Sequence, residues 1–555
     1  MAMQPLPKAQ GPGQVPFQHR SRRGSPPVNQ SRQVVHQPPP PMEQPQPTSH
    51  GNEEEDDDDD FDEDNLEAIG YSAAHFLSLH RPKAEKKPKP GIKQYCRDMG
   101  DCTQLDHALQ VLPPRPYTDM LVQHFLNIVN FHHYIIHPES FVKEYELWWS
   151  DRYQNKSLPL PWTSLLMMVC ACSAQYPDPQ LQETLERDLG QPMQKLSEKY
   201  HTAGRELYHT IPIGNAHLYT VQQLLHSCYW FKSEARYVDC WHALTSGIRE
   251  AQELGIHQEG IVPVSSAADR ELRRRAWCLL SIWDWQVGSL LSRPLILDPT
   301  ECDVQLPGLS LEAYEPSPVA AMTLQAEIIW KLSRRFGRPT NVTTSQTIEE
   351  YKGMVERWIS RFPQPYTMEN TDKRMDAVCF WITLHRHYLH TTSYTMALDP
   401  MRPYLAKPMS RNSPASEQGI RRDGVKYALK LMSKLYEFFG FIYPRDAKFH
   451  SILFYIFDTA ALLCSAVLHD QDHSLPRRDE CMKAIEASLN MLKQIHTVSP
   501  TAKKPYEMLS RLTKKIDKQN QGPTDSYHRK RPRMVDTPVS TPAPPHTSPG
   551  PLFTQ

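Results

Sequence analysis

Residues 237–260 read YVDCWHALTSGIREAQELGIHQEG, and residues 266–294 read SAADRELRRRAWCLLSIWDWQVGSLLSRP. In the first stretch Trp241, Leu244, Ile248 and Ala251 recur at steps of three and four, the spacing of one face of an α-helix. Gly255 then stands where a left-handed C-cap belongs, with apolar Ile256 after it, as a Schellman ending prefers. In the second, Ser266 followed three residues on by Asp269 makes a capping-box-like start. Leu272, Ala276, Leu279, Trp283, Val287 and Leu290 carry the helical step onward until Pro294 ends it.

Working outward, a third helix is predicted from about His217 to Phe231, with Asn215 as its N-cap and Leu218, Val221, Leu225 and Cys228 on one face. The helical step continues from about Pro113 to residue 515, and no sustained period of two interrupts it. The expected fold class is therefore all-α, with one large multi-helix domain over residues 113–515. Its longest apolar run, Ile452 to Leu468, carries Asp458 near the middle. A membrane span needs roughly 20 apolar residues, so this run is read as a buried core helix, and no membrane partner is expected.

The flanks differ in kind. Residues 1–52 are rich in Pro, Gln and Ser, with four consecutive prolines at 38–41. Such a segment buries too little apolar surface to offset its ordering entropy and is expected to stay disordered. Residues 53–112 form an acidic segment and a basic linker. Residues 53–64 hold eleven acids in twelve positions, and Leu66, Ile69, Tyr71 and Phe76 follow at once. Acids beside bulky apolar groups suit an activation segment that recruits transcription machinery, and equally a plain solubilising tract. Residues 516–555 are read as a disordered basic tail rich in Ser, Thr and Pro, with TP or SP pairs at Thr537, Thr541 and Ser548.

The formal net charge of −1 conceals this segregation. Residues 1–50 carry +4, 81–93 carry +5 and 501–533 carry +7, which together with the acidic run leaves −6 for the remainder. A slightly acidic body argues against a broad phosphate-binding face there.

Chemistry-bearing motifs are sparse. The eleven cysteines are scattered singly with no C-x-x-C spacing, the pattern of reduced, mostly buried thiols. His132, His133 and His137 lie close together, as do His385, His387 and His390, but no Cys or acid completes a ligand set, so no metal is expected. There is no G-x-S-x-G elbow, phosphate loop or complete dinucleotide fingerprint. An enzyme is not expected; a helical protein that senses or metabolises a small molecule is the outlying alternative.

The two opening stretches also carry an ordered set of residues. Leu254, Gly255 and His257 close one helix. Glu271, Arg273, Arg274, Arg275 and Trp277 open the next. Asp284, Arg293, Pro294, Asp303, Leu306 and Pro307 follow, and HYIIHPESF supplies His137, Pro138 and Phe141 upstream. This order, with its main signature over residues 215–307, resembles the fungal-specific transcription factor domain, or middle homology region. Two positions depart from the pattern: Cys278 stands where a second aromatic is common, and Trp285 where Arg is common.

The resemblance implies a regulator of RNA polymerase II transcription in the nucleus, controlling a pathway-specific gene set such as a metabolic or secondary-metabolite one. Members usually carry six Cys binding two zinc ions. Here Cys96 and Cys102 are the only cysteines before residue 170, and two thiols cannot complete a tetrahedral site. No cofactor of this chain's own is expected. Three alternatives stay open: the DNA-reading module was lost, an upstream exon carrying the cluster is missing, or the chain reaches DNA as a co-regulator through a zinc-cluster partner. Homo- or heterodimerisation is a further expectation.

Individual residues have specific expectations. The Arg273–Arg275 run is either a phosphate contact or, as the helical context favours, a set of stems over apolar surface paired with nearby acids. Asp284 lies between Trp283 and Trp285 and needs a partner, for which Arg293 is expected. Lys514 and Lys515, then Arg529, Lys530, Arg531 and Arg533, have the form of a two-part nuclear import signal for an acidic receptor groove.

Overall fold

The computed structural model describes residues 102–212, 214–260, 266–444 and 452–520. Among these there is no β-strand, only an isolated parallel bridge between Met409 and Asp470. The fold is all-α. The arms read as disordered, the acidic segment, the basic linker 81–93 and the Arg529–Arg533 group all lie outside the described residues.

The helices are α1 (Thr103–Val111), α2 (Arg115–Asn127), α3 (Pro138–Tyr153), α4 (Leu160–Gln175), α5 (Pro179–Leu189), α6 (Met193–Tyr208), α7 (Leu218–Ser233), α8 (Tyr237–Glu253) and α9 (Ala267–Leu290). They continue as α10 (Ala320–Phe336), α11 (Ser345–Ile359), α12 (Phe380–Leu398), α13 (Arg402–Ala406), α14 (Ala415–Ile442), α15 (Ile452–Leu468), α16 (Arg478–Val498) and α17 (Lys503–Asn520). Helix α1 lies in the stretch read as linker, and α17 passes residue 515. Helix α1 escaped notice because it is short and begins at Cys102, whose side chain makes no capping bond.

Local chemistry sets the ends. Proline occupies the first turn of α2, α3, α4 and α5, where its missing N–H costs nothing. Asp178 caps α5 by accepting the N–H of Leu181 at 2.8 Å. Helix α7 is capped by His217, whose Nδ1 accepts the N–H of Tyr219 at 3.1 Å, rather than by Asn215.

The core is built on helices that are apolar all round. Helix α4 is buried from Trp162 to Gln175 and packs against α6 and α7. Gly204 lets α6 approach: a Cβ there would lie 3.0 Å from the Met167 Cβ. The closeness is secured by Ser164 Oγ donating to Gly204 O at 2.8 Å and Ser197 Oγ donating to Ala171 O at 2.7 Å. In the C-terminal half α15 plays the same part, buried along Ile452–Val467 and packed by α14, α16 and α17. The apolar run is thus a core helix, and its one acid, Asp458, meets Arg402 at 3.0 and 2.6 Å. Arg421 of α14 donates to Ala466 O at 2.6 Å, fastening two of these helices. His385 of α12 reaches back to Phe131 O at 2.8 Å, joining the halves.

Candidate functional site

The residues of the sequence signature form one continuous structure around α9. Helix α8 ends at Leu254, and Gly255 adopts φ +68°. The N–H of Gly255 donates to Gln252 O and that of Ile256 to Ala251 O, both at 2.9 Å, the two bonds of a Schellman motif. Ile256 is buried. The next turn places the His257 ring 5.8 Å from the Trp277 ring, and His257 O accepts the N–H of Asp303 at 3.3 Å.

Helix α9 starts as its sequence predicts, with Ser266 Oγ accepting the N–H of Asp269 at 3.0 Å. Its end differs. The helix stops at Leu290, before Pro294, because Ser292 adopts φ +53° and a second Schellman pair forms. Ser292 N–H donates to Ser289 O at 3.2 Å and Arg293 N–H to Gly288 O at 2.8 Å. A serine in the left-handed region is uncommon, so nothing in the sequence flagged this reversal.

That reversal changes the partner of Asp284. The carboxylate is 2% exposed and accepts the N–H groups of Ile296 and Leu297, each at 2.9 Å. Arg293 does not pair with it; its guanidinium lies 4.3 Å from the Trp241 ring centroid, a cation–π contact with α8. The turn at Ser292 brings the backbone of residues 296–297 to the carboxylate instead. Burial pushes Asp284 up to about 6, against the pull of the two backbone bonds.

The arginine run is wholly engaged. Arg273 donates to Asp269 at 3.1 Å. Arg274 pairs with Glu259 of the preceding turn, its Nε at 2.9 Å. Arg275, fully buried, donates to Glu271 at 3.1 Å and to both oxygens of Glu312 at 2.7 and 2.8 Å. Burial alone would raise Glu259, but the bonds from Arg274 and the Gln305 N–H hold it below the usual carboxylate range.

These acids also bind the loop after α9. Asp303 Oδ1 accepts the Glu259 N–H at 2.7 Å, Glu259 Oε2 the Gln305 N–H at 3.1 Å, and Glu271 Oε2 the Gly308 N–H at 2.9 Å. Taken with Asp284 to residues 296–297 and Arg275 to Glu312, the loop folds back along α9 from its C-terminal towards its N-terminal end. Leu306 is half-buried and Pro307 buried beneath it, whereas Pro294 is exposed. The departures Cys278 and Trp285 are both buried. The arrangement is an ionic clamp, and it leaves no arginine of the run turned outward for phosphate.

Upstream, Nδ1 of His137 accepts the Ser140 N–H at the start of α3, Pro138 takes its first position, and Phe141 stacks on Trp162 at 5.5 Å. Other histidines of the two clusters bond across the fold: His132 Nδ1 meets Tyr229 OH at 2.6 Å and His390 Nε2 meets Tyr366 O at 2.9 Å. Among the described residues no three His, Cys, Asp or Glu stand together as metal ligands would. Lys514 and Lys515 occupy exposed positions on α17, so that half of the import candidate is helical, not on an extended tail. What the sequence missed were Glu259 and Glu312, which lie in connections where no period marks them.

Residues 122–388, from within α2 to within α12, match the fungal specific transcription factor domain. The chain carries that domain. Fungal-specific transcription factor domains are transcription-regulatory modules, and curated relatives of this chain are named accordingly. The probable transcription factor sol4 of Alternaria solani is 24% identical over 66% of this chain and 68% of its own length. Transcription factor xilB of Penicillium rubens is 23% identical over 66% of this chain and 60% of its own. The Zn(2)-C6 fungal-type transcription factor mpsB of Macrophomina phaseolina is 24% identical over 53% and 39%. The chain therefore spans about 40 to 70% of the length of these relatives. Among solved structures, the K. lactis CBF3 core is 15% identical with a TM-score of 0.46, over 73% of this chain and 82% of that one.

Proposed function

We propose that this chain regulates RNA polymerase II transcription of a pathway-specific gene set in the nucleus. The observation that carries the reading is the fungal-specific transcription factor domain over residues 122–388, whose signature residues form the clamp around α9. The acidic segment recruits transcription machinery, the helical domain regulates and dimerises, and the basic tail engages an import receptor. The chain has no catalytic role and no cofactor of its own in this scheme. No helix among the described residues is long and apolar enough to cross a membrane.

A co-regulator docked on a zinc-cluster partner is a second reading with an observation in its favour. The Arg273–Arg275 run is spent on carboxylates. Chromatin immunoprecipitation of the tagged chain, set beside DNA binding by the same purified chain at ~150 mM salt, separates the two, salt being fixed because it governs such affinities. Occupancy with binding in vitro supports direct recognition. Occupancy without it supports the partner, and no occupancy removes the regulatory reading.

A further inference from the structure

Where the C-terminal turn of α9 meets α12, α13 and α15, the packing opens into a cavity of about 360 Å³. Protein interiors rarely leave voids larger than a water molecule, and small-molecule sites begin at roughly 300 Å³. We propose that this cavity binds a neutral, mostly apolar, ring-containing small molecule bearing a hydroxyl group.

The walls argue for rings. Trp285 comes from α9, Tyr404 from α13, and Phe454 and Tyr455 from α15, so aromatic surface enters from three helices. Aromatic side chains offer large contact areas and prefer offset or edge-on partners.

The charges argue for neutrality. Asp399, Arg402, Lys407 and Asp458 all line the cavity, and all are already paired. Arg402 donates to Asp458 at 3.0 and 2.6 Å and to Asp399 at 3.1 Å. Lys407 lies 2.7 Å from Glu417. A charged ligand would give up its water without gaining an opposite charge, which is costly. A neutral ligand meets no such penalty.

The hydroxyls argue for a hydroxyl group on the ligand. Thr395 lines the interior and donates to Thr391 O at 3.0 Å, which leaves its oxygen able to accept from a ligand hydroxyl. Thr340 and Thr343 line the cavity at exposed positions and mark its mouth. Because α9 also carries the clamp, an occupant would tie the signature helix to the C-terminal helices. That effector role rests on the regulatory reading above; binding itself does not.

Two probes sharing one ring system test the site on the full chain. N-Phenyl-1-naphthylamine is neutral, and 8-anilinonaphthalene-1-sulfonate adds a fixed negative charge. The neutral probe is expected to give a saturable, single-site fluorescence rise. The sulfonate should bind about tenfold or more weakly, the mark of an uncompensated charge. Met396→Trp, filling the interior, and Thr340→Trp, plugging the mouth, should each weaken the neutral probe about tenfold or more while leaving helical circular dichroism unchanged. Thr340 is exposed, so its variant reports even if the interior change unfolds the chain. Failure of the neutral probe to saturate, or native affinity in folded Thr340→Trp protein, overturns the site. Equal affinity for the sulfonate overturns its neutral preference.

Discussion

Arg275 holds Glu312 through two parallel hydrogen bonds, of 2.7 and 2.8 Å, across 37 residues of sequence. The arginine is fully buried and the glutamate side chain is 6% exposed. Removing one partner of such a pair strands a buried charge, at a cost of about 3 to 5 kcal/mol. Arg275 keeps Glu271, so Glu312→Ala should cost about 3 kcal/mol, the lower end of that range. Urea unfolding should show a lower midpoint, and Glu312→Gln, which retains an acceptor, should lose less. A native midpoint in Glu312→Ala would mean the loop is not fastened there.

Asp284 makes stability depend on pH. Its folded-state pKa, pushed by burial to about 6, lies above the unfolded value near ~3.9, so the folded chain binds this proton more tightly. The stabilisation is whole below about pH 4 and is lost as pH rises through about 6. Asp284→Asn cannot titrate, so its stability relative to the native chain should rise as pH goes from ~4.5 to ~6.5. Asp399, also raised to about 6 by burial, adds to this effect, whereas buried His226, His385, His387 and His390, lowered to about 4, oppose it, so the Asp284 share is read as the difference between variant and native chain. Asp284→Ala strands two backbone N–H groups and should cost about 1 to 3 kcal/mol at neutral pH. Unfolding midpoints at pH 4.5 and 6.5 check both; a native pH slope in the Asn variant rejects the assignment.

Periodicity made α8 legible because it buries one face, and α9 because its large apolar residues keep the helical step although burial runs round its middle; the Gly255 and Ser266 ends were legible because capping is local chemistry. The end of α9 was not, because Ser292 adopts a conformation its residue type does not advertise. The same limit hid the partners of Asp284, Arg275 and Asp458. They lie 12, 37 and 56 residues away, and distance in the chain carries no signal of pairing in space. The apolar run at Ile452–Leu468 announced a core helix, but only its packing shows that Asp458 turns towards α13 and frames a cavity. The signature order was readable as a set. Its physical content, a loop laced back along a helix by carboxylates, required the fold.

The turn between α8 and α9 offers a local check. Gly255 at φ +68° occupies a region that costs an L-residue about 1 to 2 kcal/mol. Gly255→Ala should therefore lower stability by about 1 kcal/mol or slightly more, and Gly255→Asn by less, since Asn tolerates the left-handed region. Both Schellman bonds are backbone bonds, so neither variant removes them. Equal losses for Ala and Asn would show that the cost arises from packing around the turn rather than from its backbone conformation.

Nuclear import provides the last test, and the structure divides its two halves. Lys514 and Lys515 sit on α17, whose Leu512 and Ile516 are buried. A receptor groove that reads extended backbone would have to unwind this helix and expose those side chains, losing roughly 1.5 to 3 kcal/mol for each one. The cluster Arg529, Lys530, Arg531 and Arg533 lies beyond that helix in sequence and needs no such opening of α17. Deleting Arg529–Arg533 should therefore remove most nuclear accumulation of a fluorescent fusion, whereas Lys514→Ala with Lys515→Ala should remove little. Equal loss in the two variants would restore the two-part signal and require α17 to open on the receptor. Unchanged nuclear signal after the deletion would assign import to another segment or to a partner that carries the chain in.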